Sequence, residues 1–286
     1  MKQRRSQKRQ PSELHPQQEL ELSDREEKEI EQRMRPNAVI IHEAVRIEGE
    51  RELRRPTSAL AWSGLAAGLS MGFSLIAQGL LKANLPHAPW SQLISKLGYS
   101  IGFLIVVMGR QQLFTENTLT VILPLLARRK AAVLMQVLRL WSVVLLSNLI
   151  GTFLFAWIVK STNIFSVEVQ DAFTEIGLKA LSGGFWTTLW QGVFAGWLIA
   201  LMVWLLPTVD AARLWLIIII TFIVGLGELA HVIAGSVEVF YAIVTGSAPF
   251  GAYFGSFMIP ALAGNIIGGV SLVAVLNYAQ VAPEKH

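Results

Sequence analysis

Gly225-Leu226-Gly227-Glu228-Leu229-Ala230-His231-Val232-Ile233-Ala234-Gly235-Ser236 interrupts an apolar run that extends from residue 214 to residue 244. The interruption brings a carboxylate, an imidazole and three glycines to the depth where a bilayer is driest. Ionisable side chains there are costly and ordinarily face a protein interior or an aqueous path. Glycines that loosen the adjoining helix predict a discontinuous transmembrane helix, a form that lines solute routes. His231 is therefore read as a pathway residue, with Glu228 beside it. In a soluble protein the same histidine would be read as a core side chain satisfied by backbone.

Working outward, hydrophobic residues make up 53% of the 286-residue chain, even with a polar N-terminal stretch included. A hydrocarbon core of ~30 Å needs about 20 apolar residues per helix. Six segments meet that length, at 59–81, 93–126, 131–159, 185–206, 214–244 and 252–278. The second and fifth exceed one span and carry polar residues at their middles. The expected fold is an all-α integral membrane protein of six transmembrane helices, two of them interrupted. With no cysteine, disulfides, thiolate metal sites and thiol nucleophiles are excluded. Glu228-x-x-His231 supplies two metal ligands at most, so no metal or cofactor is expected. No Ser-His-Asp arrangement or phosphate-binding loop is present, which argues against an enzyme.

Charge placement orients the spans. Arg54, Arg55, Arg128, Arg129, Lys130, Arg139, Arg213 and Lys285 flank one set of connections. Lys82, Lys96, Lys160 and Lys179 are spread over the longer opposite set. Positive-inside bias then predicts a multi-pass protein of the cell (inner) membrane with both termini cytoplasmic. Trp62, Trp90, Trp157, Trp186, Trp204 and Trp215 fall near predicted span ends, as interfacial anchors do.

Three regions follow: a polar tail over 1–57, a transmembrane domain over 58–280 and a short cytoplasmic end at 281–286. No cleavable signal peptide is expected, because residues 1–57 are polar throughout. Val39, Ile40, Ala44, Ile47 and Leu53 recur at near-helical spacing, predicting an amphipathic helix near 37–55. It would lie on the inner membrane surface or on the cytoplasmic face of the protein. Glutamates interleaved with the basic residues of the tail argue against nucleic acid as a partner.

The chain also echoes itself. Gly64-Leu65-Ala66-Ala67-Gly68 in the first span resembles Gly192-Val193-Phe194-Ala195-Gly196 in the fourth. Asn148-Leu149-Ile150-Gly151 in the third resembles Asn265-Ile266-Ile267-Gly268 in the sixth. With the interrupted spans in second and fifth place, the order predicts an inverted 3+3 repeat. Gly64, Gly68, Gly192, Gly268 and Gly269 are assigned to close helix packing.

The first interruption reads Gly109-Arg110-Gln111-Gln112-Leu113-Phe114-Thr115-Glu116-Asn117-Thr118. Such a segment does not lie against lipid and is expected to fold into the protein interior as an irregular loop. Meeting the second break near the bilayer midplane, it would set Thr115 facing His231. Arg110 is expected either to pair with Glu228 or Glu116 or to attract an anion.

Leu113-Phe114-Thr115-x-Asn117 resembles the loop motif of the formate/nitrite transporter family. The likeness continues in His231-x-Ile233-Ala234 and in Pro260-x-x-x-Gly264-Asn265-Ile266-Ile267-Gly268-Gly269. It covers about residues 58–280, and three motifs in the right order on the right spans are specific. The resemblance implies an aquaporin-like fold assembled as a homopentamer, each protomer carrying a pore for a small monovalent anion or its weak acid. It implies that Thr115 and Asn265 hydrogen-bond the central His231, with Phe114 as an apolar constriction. Phe103, Ile199 and Val224 match further constriction positions, and Lys179 approximates an outer-vestibule lysine. The chain departs from the family pattern at Gln112, Gly196, Ala230 and Gly235 and, before Leu113, at Arg110 and Gln111.

A bare carboxylate moved to low dielectric costs on the order of 20 kcal/mol by the Born estimate. A narrow apolar pore therefore rejects the anion and admits the neutral acid. His231, oriented by Thr115 and Asn265, is expected to supply a proton or hydrogen bond at the midplane, after vestibule cations have concentrated the anion. Two other functions are carried beside this one: a channel for neutral small solutes on the same fold, and a non-transporting membrane platform whose charged tail binds a partner.

Overall fold

A computed structural model describes residues 37–281. The described residues are helical throughout their regular elements, with no strand among them. The expectations for residues 1–36 and 282–286 lie outside the described residues.

Helix α1 spans Ala38–Leu53, and Asn37 caps it by accepting a hydrogen bond from Ile40 N at 3.0 Å. It rests on the protein itself, burying His42, Val45, Gly49 and Leu53. At Gly49 it comes so close to the chain that a Cβ would sit 2.0 Å from the Thr120 carbonyl oxygen. Arg139 fastens the end of α1, donating to the carbonyls of Leu53 at 2.8 Å and Arg55 at 3.1 Å.

Five helical stretches among the described residues are long and apolar enough to cross a membrane. They are α2 (Thr57–Asn84), the pair α3 (Ser91–Leu97) and α4 (Ser100–Met108), α7 (Ala131–Thr162), α9 (Gly184–Leu205) and α12 (Phe250–Val281). Helix α12 widens to π-type turns over Tyr253–Met258 and Ile267–Ala274. The fifth span is split, as expected, into α10 (Arg213–Leu226) and α11 (Val232–Val244). At 1.5 Å per residue each half reaches only about 20 Å, so neither crosses ~30 Å alone. The second span breaks likewise after α4 and resumes as the short helices α5 (Asn117–Thr120) and α6 (Ile122–Arg128). Helix α8 (Val167–Leu181) fills the connection between α7 and α9.

The glycines set how closely the unbroken helices cross. A Cβ on Gly68 of α2 would meet the Asn148 carbonyl oxygen of α7 at 2.2 Å. On Gly196 of α9 it would meet the Asn265 carbonyl oxygen of α12 at 2.4 Å. Gly151 is pressed in the same way on Leu65 O at 2.6 Å, and Gly268 on Val193 O at 2.0 Å. The echoed segments are therefore two equivalent close crossings. Gly196 thereby loses the significance that its departure from the family pattern gave it: no side chain fits there, and the position belongs to packing. Gly235 is similar, since a Cβ would fall 2.2 Å from Phe257 Cζ.

Five of the six interfacial tryptophans are exposed, Trp62 and Trp186 at 72% each. Trp204 corrects the expectation: it is buried, with its ring 6.4 Å from that of His42 under α1.

Replacing Gly196 with Val drives a side chain into main-chain atoms that cannot swing aside. The expected loss is at least about 3 kcal/mol, the upper end for overpacking a core. Thermal unfolding of the purified variant in detergent, beside wild type, measures it.

Candidate functional site

Each break ends its helix in the same way. After α4, Gly109 N donates to Ile105 O, Arg110 N to Val107 O and Gln111 N to Val106 O. After α10, Gly227 N donates to Ile223 O, Glu228 N to Gly225 O and Leu229 N to Val224 O. Arg110 and Glu228 occupy the left-handed backbone region at φ 54° and 51°, the turn that closes a helix and redirects the chain.

Past each turn, one buried asparagine holds the irregular backbone. Asn148 Nδ2 donates to Gly64 O at 2.7 Å and to Gln112 O at 2.9 Å, and its Oδ1 accepts from Phe114 N at 2.9 Å. Asn265 Nδ2 donates to Gly192 O at 2.9 Å and to Ala230 O at 2.8 Å, and its Oδ1 accepts from Val232 N at 2.8 Å. The two sets match bond for bond. Asn265 was expected to bond the imidazole; it grips the peptide groups on either side of His231 instead. Asn148 entered the sequence reading only as half of an echo, yet that echo was the signal of its role.

His231 stands at the N-cap of α11, 1% exposed, with extended backbone (φ −95°, ψ 118°). Its Nδ1 accepts from Ala234 N at 3.1 Å. In the neutral ring the proton is thereby assigned to Nε2. Nε2 lies 2.7 Å from Thr115 Oγ1, so the loop of one break and the helix start of the other meet at this bond. Thr115 is fully buried, and its carbonyl accepts from Thr118 Oγ1 at 2.7 Å. The Phe103 ring stands edge-on to the imidazole, with centroids 4.9 Å apart.

A cavity of about 570 Å³ descends from the surface between α2, α3 and α8 to this point. Val224, Ala230, His231, Gly235 and Phe257 line its floor, and Lys82, Lys96, Glu175, Lys179 and Glu228 line its walls. Phe114 is buried in the break loop with its ring 5.7 Å from Trp141, and Ile199 is buried on α9.

The charged candidates lie elsewhere than expected. Arg110 is 75% exposed and pairs with Glu48 of α1 at 2.6 Å, not with Glu228 or Glu116. Its position in the sequence placed it at mid-depth, but the break turns outward before re-entering. Glu116 keeps a buried Oε1 without a hydrogen-bond partner. Glu228, expected to share a helix face with His231 if that segment stayed helical, lies in the turn and faces Lys179 at 3.3 Å. Lys82 pairs with Glu175 at 2.6 Å. Two of the cavity lysines are thus matched by carboxylates, which offsets the anion-gathering role expected of Lys179. Gln112 donates to Glu52 Oε2 at 2.9 Å and accepts from Asn117 Nδ2 at 3.0 Å, tying the loop to α1.

A family model described as formate/nitrite transporter matches residues 39–279. The inner membrane protein YfdC of Escherichia coli (strain K12) is 42% identical over 251 residues, covering 88% of this chain and 81% of the relative. Among solved structures, a pentameric formate channel with formate bound matches with a TM-score of 0.67 at 19% identity, covering 79% of this chain and 98% of that one. An FNT family ion channel matches with a TM-score of 0.73 at 15% identity, covering 84% and 98%. At these identities the solved structures speak for the fold alone, which is all-helical.

Truncating either asparagine to alanine strands one loop carbonyl and one loop N–H inside the protein, Gln112 O and Phe114 N or Ala230 O and Val232 N. Each unpaired group costs about 1–3 kcal/mol, so Asn148→Ala and Asn265→Ala are expected to destabilise by similar, multi-kcal/mol amounts. Equilibrium unfolding of both variants checks the match; a stable Asn148→Ala beside an unstable Asn265→Ala would contradict it.

Proposed function

The chain belongs to the formate/nitrite transporter family, and we propose that it passes small monovalent anions, as their conjugate weak acids, through a pore centred on His231. The observation that carries this reading is the bond of 2.7 Å between Thr115 and His231 at the foot of an open cavity. It supplies polar atoms where the chain is otherwise apolar, with Phe103 and Val224 buried beside the route.

Chemically, the ring acts as a hydrogen-bonding station. With Nδ1 committed to the start of α11, Nε2–H donates to Thr115 Oγ1 and leaves the threonine hydroxyl hydrogen for a passing solute. A neutral acid, which donates and accepts, is served by this arrangement; a bare anion in an apolar constriction is not. Matching bonds at Asn148 and Asn265 support two halves related as an inverted 3+3 repeat. The pentameric formate channel among the structural matches supports a homopentamer with one pore per protomer. The name of the Escherichia coli relative and the charge bias support an inner-membrane protein with both termini cytoplasmic.

One observation favours a second reading, a pore for neutral small solutes: Lys82 and Lys179 are each paired with a glutamate. Uptake of labelled formate into proteoliposomes separates the two from osmotic swelling measured by light scattering. Formate uptake well above that of empty liposomes is expected. His231→Phe and Thr115→Val should each lower it at least tenfold, about the ~1.4 kcal/mol of one buried hydrogen bond. Full formate flux in both variants would remove the pair from the pathway, and swelling without formate uptake would favour the neutral-solute pore.

A further inference from the structure

The cavity that leads to His231 contains a buried acid that the pathway above does not use. Glu238 lies on α11 two turns beyond His231 and is 8% exposed, yet it lines the same cavity. Its Oε1 accepts from Gln78 Nε2 of α2 at 2.9 Å, a contact between residues 160 apart in sequence. Among the described residues no ion pair neutralises it.

Two of the cavity lysines are held by other carboxylates. On α2, Lys82 is held by Glu175 of α8, and Lys179 of α8 is held by Glu228 of the break. Lys96 of α3 shares the cavity and acts on Glu238 from longer range, as does Glu228. Tyr99 lines the wall, Tyr253 of α12 is bonded to Ser236 at 2.8 Å, and α7 meets α11 through Phe153 against Phe240. His231 is not a ready source of protons. Protonating Nδ1 would set its N–H against the Ala234 N–H at the α11 cap, and Nε2 is already turned to Thr115.

We propose that Glu238 is the proton donor that converts an entering weak-acid anion into its neutral acid within the cavity, ahead of His231. The inference rests on the weak-acid pathway described above and names the residue that makes it operate. The O–H bond of the Glu238 carboxyl breaks, and its proton forms a new O–H bond on the carboxylate oxygen of the solute. Glu238 is left as a carboxylate, stabilised by the Gln78 amide and by Lys96. Hydronium from the open end of the cavity restores the carboxyl. One proton thus accompanies each anion.

The test is the pH profile of initial labelled-formate uptake in proteoliposomes at fixed total formate. Free formic acid falls about tenfold per pH unit above the carboxylate range. With Glu238 supplying the proton, wild-type uptake holds a plateau while that carboxyl stays protonated and declines only above it. Glu238→Gln is expected to lose the plateau and follow free formic acid, falling about tenfold per pH unit. Gln78→Leu keeps the acid but removes the amide that steadies its ionised form, so the plateau should reach to higher pH. A plateau retained in Glu238→Gln, or a curve lowered by one factor at every pH, would overturn the proposal. If Glu238→Gln does not assemble, Gln78→Leu decides alone, and an unmoved edge overturns it. Wild type that takes up no formate at any pH overturns the pathway reading itself, a result distinct from the other outcomes.

Discussion

The architecture depends on how a broken helix satisfies its backbone where no water is available. Peptide groups left bare in a membrane interior cost several kcal/mol each, so a break persists only with dedicated partners. Asn148 and Asn265 are those partners, each bonding three peptide groups across two neighbouring segments. They reach them because Gly68 and Gly196 let the asparagine-bearing helices come within backbone contact of α2 and α9. Small-residue helix, broken helix and asparagine helix thus support one another, and the same bonds occur at Asn148 and at Asn265.

The location of the candidate site follows. A helix stopped partway frees its next residues to face inward, and each break contributes one: Thr115 from the first and His231 from the second. The same stop throws Arg110 and Glu228 outward in left-handed turns, where Glu48 and Lys179 receive them. Polar residues close in sequence thus separate into a dry pair at the meeting point and exposed ion pairs, of which Lys179–Glu228 lines the cavity.

Much of this was legible from the residues. Apolar runs too long for one span, with polar centres, located both breaks. The repeated Gly and Asn segments located the crossings that support them, and the meeting of the two breaks brought Thr115 and His231 together, as the resemblance also implied. What sequence could not supply was direction. Depth counted along a helix put Arg110 at the midplane, because the turn that ejects it depends on a left-handed residue that no periodicity reveals. Asn265 was paired with the ring instead of the neighbouring peptide groups, since a motif names contacts but not atoms. The loss of polarity at Gly196 and Gly235 carried chemical weight until the packing of Asn265 and Phe257 filled the space. Glu238 went unnoticed for a further reason: one carboxyl in an apolar helix has no pattern of its own, and its partner Gln78 lies far off in the chain.

The charge balance of the cavity bears on where selection takes place. A vestibule with unpaired lysines would gather anions and leave the removal of charge to the centre of the pore. Here Lys82 and Lys179 are answered by Glu175 and Glu228, which weakens the field that meets an anion and leaves Lys96 as the cavity lysine without a carboxylate partner among the described residues. The imidazole below has one nitrogen locked into a helix cap and the other against Thr115, an arrangement suited to exchanging hydrogen bonds and poorly suited to releasing a proton. An entry that attracts charge only weakly and a centre that does not neutralise it fit together if neutralisation occurs between them, where Lys96 and Glu238 lie. Glu238 and Gln78 are the polar pair at that level, buried enough to hold a proton and open enough to the cavity to give it up.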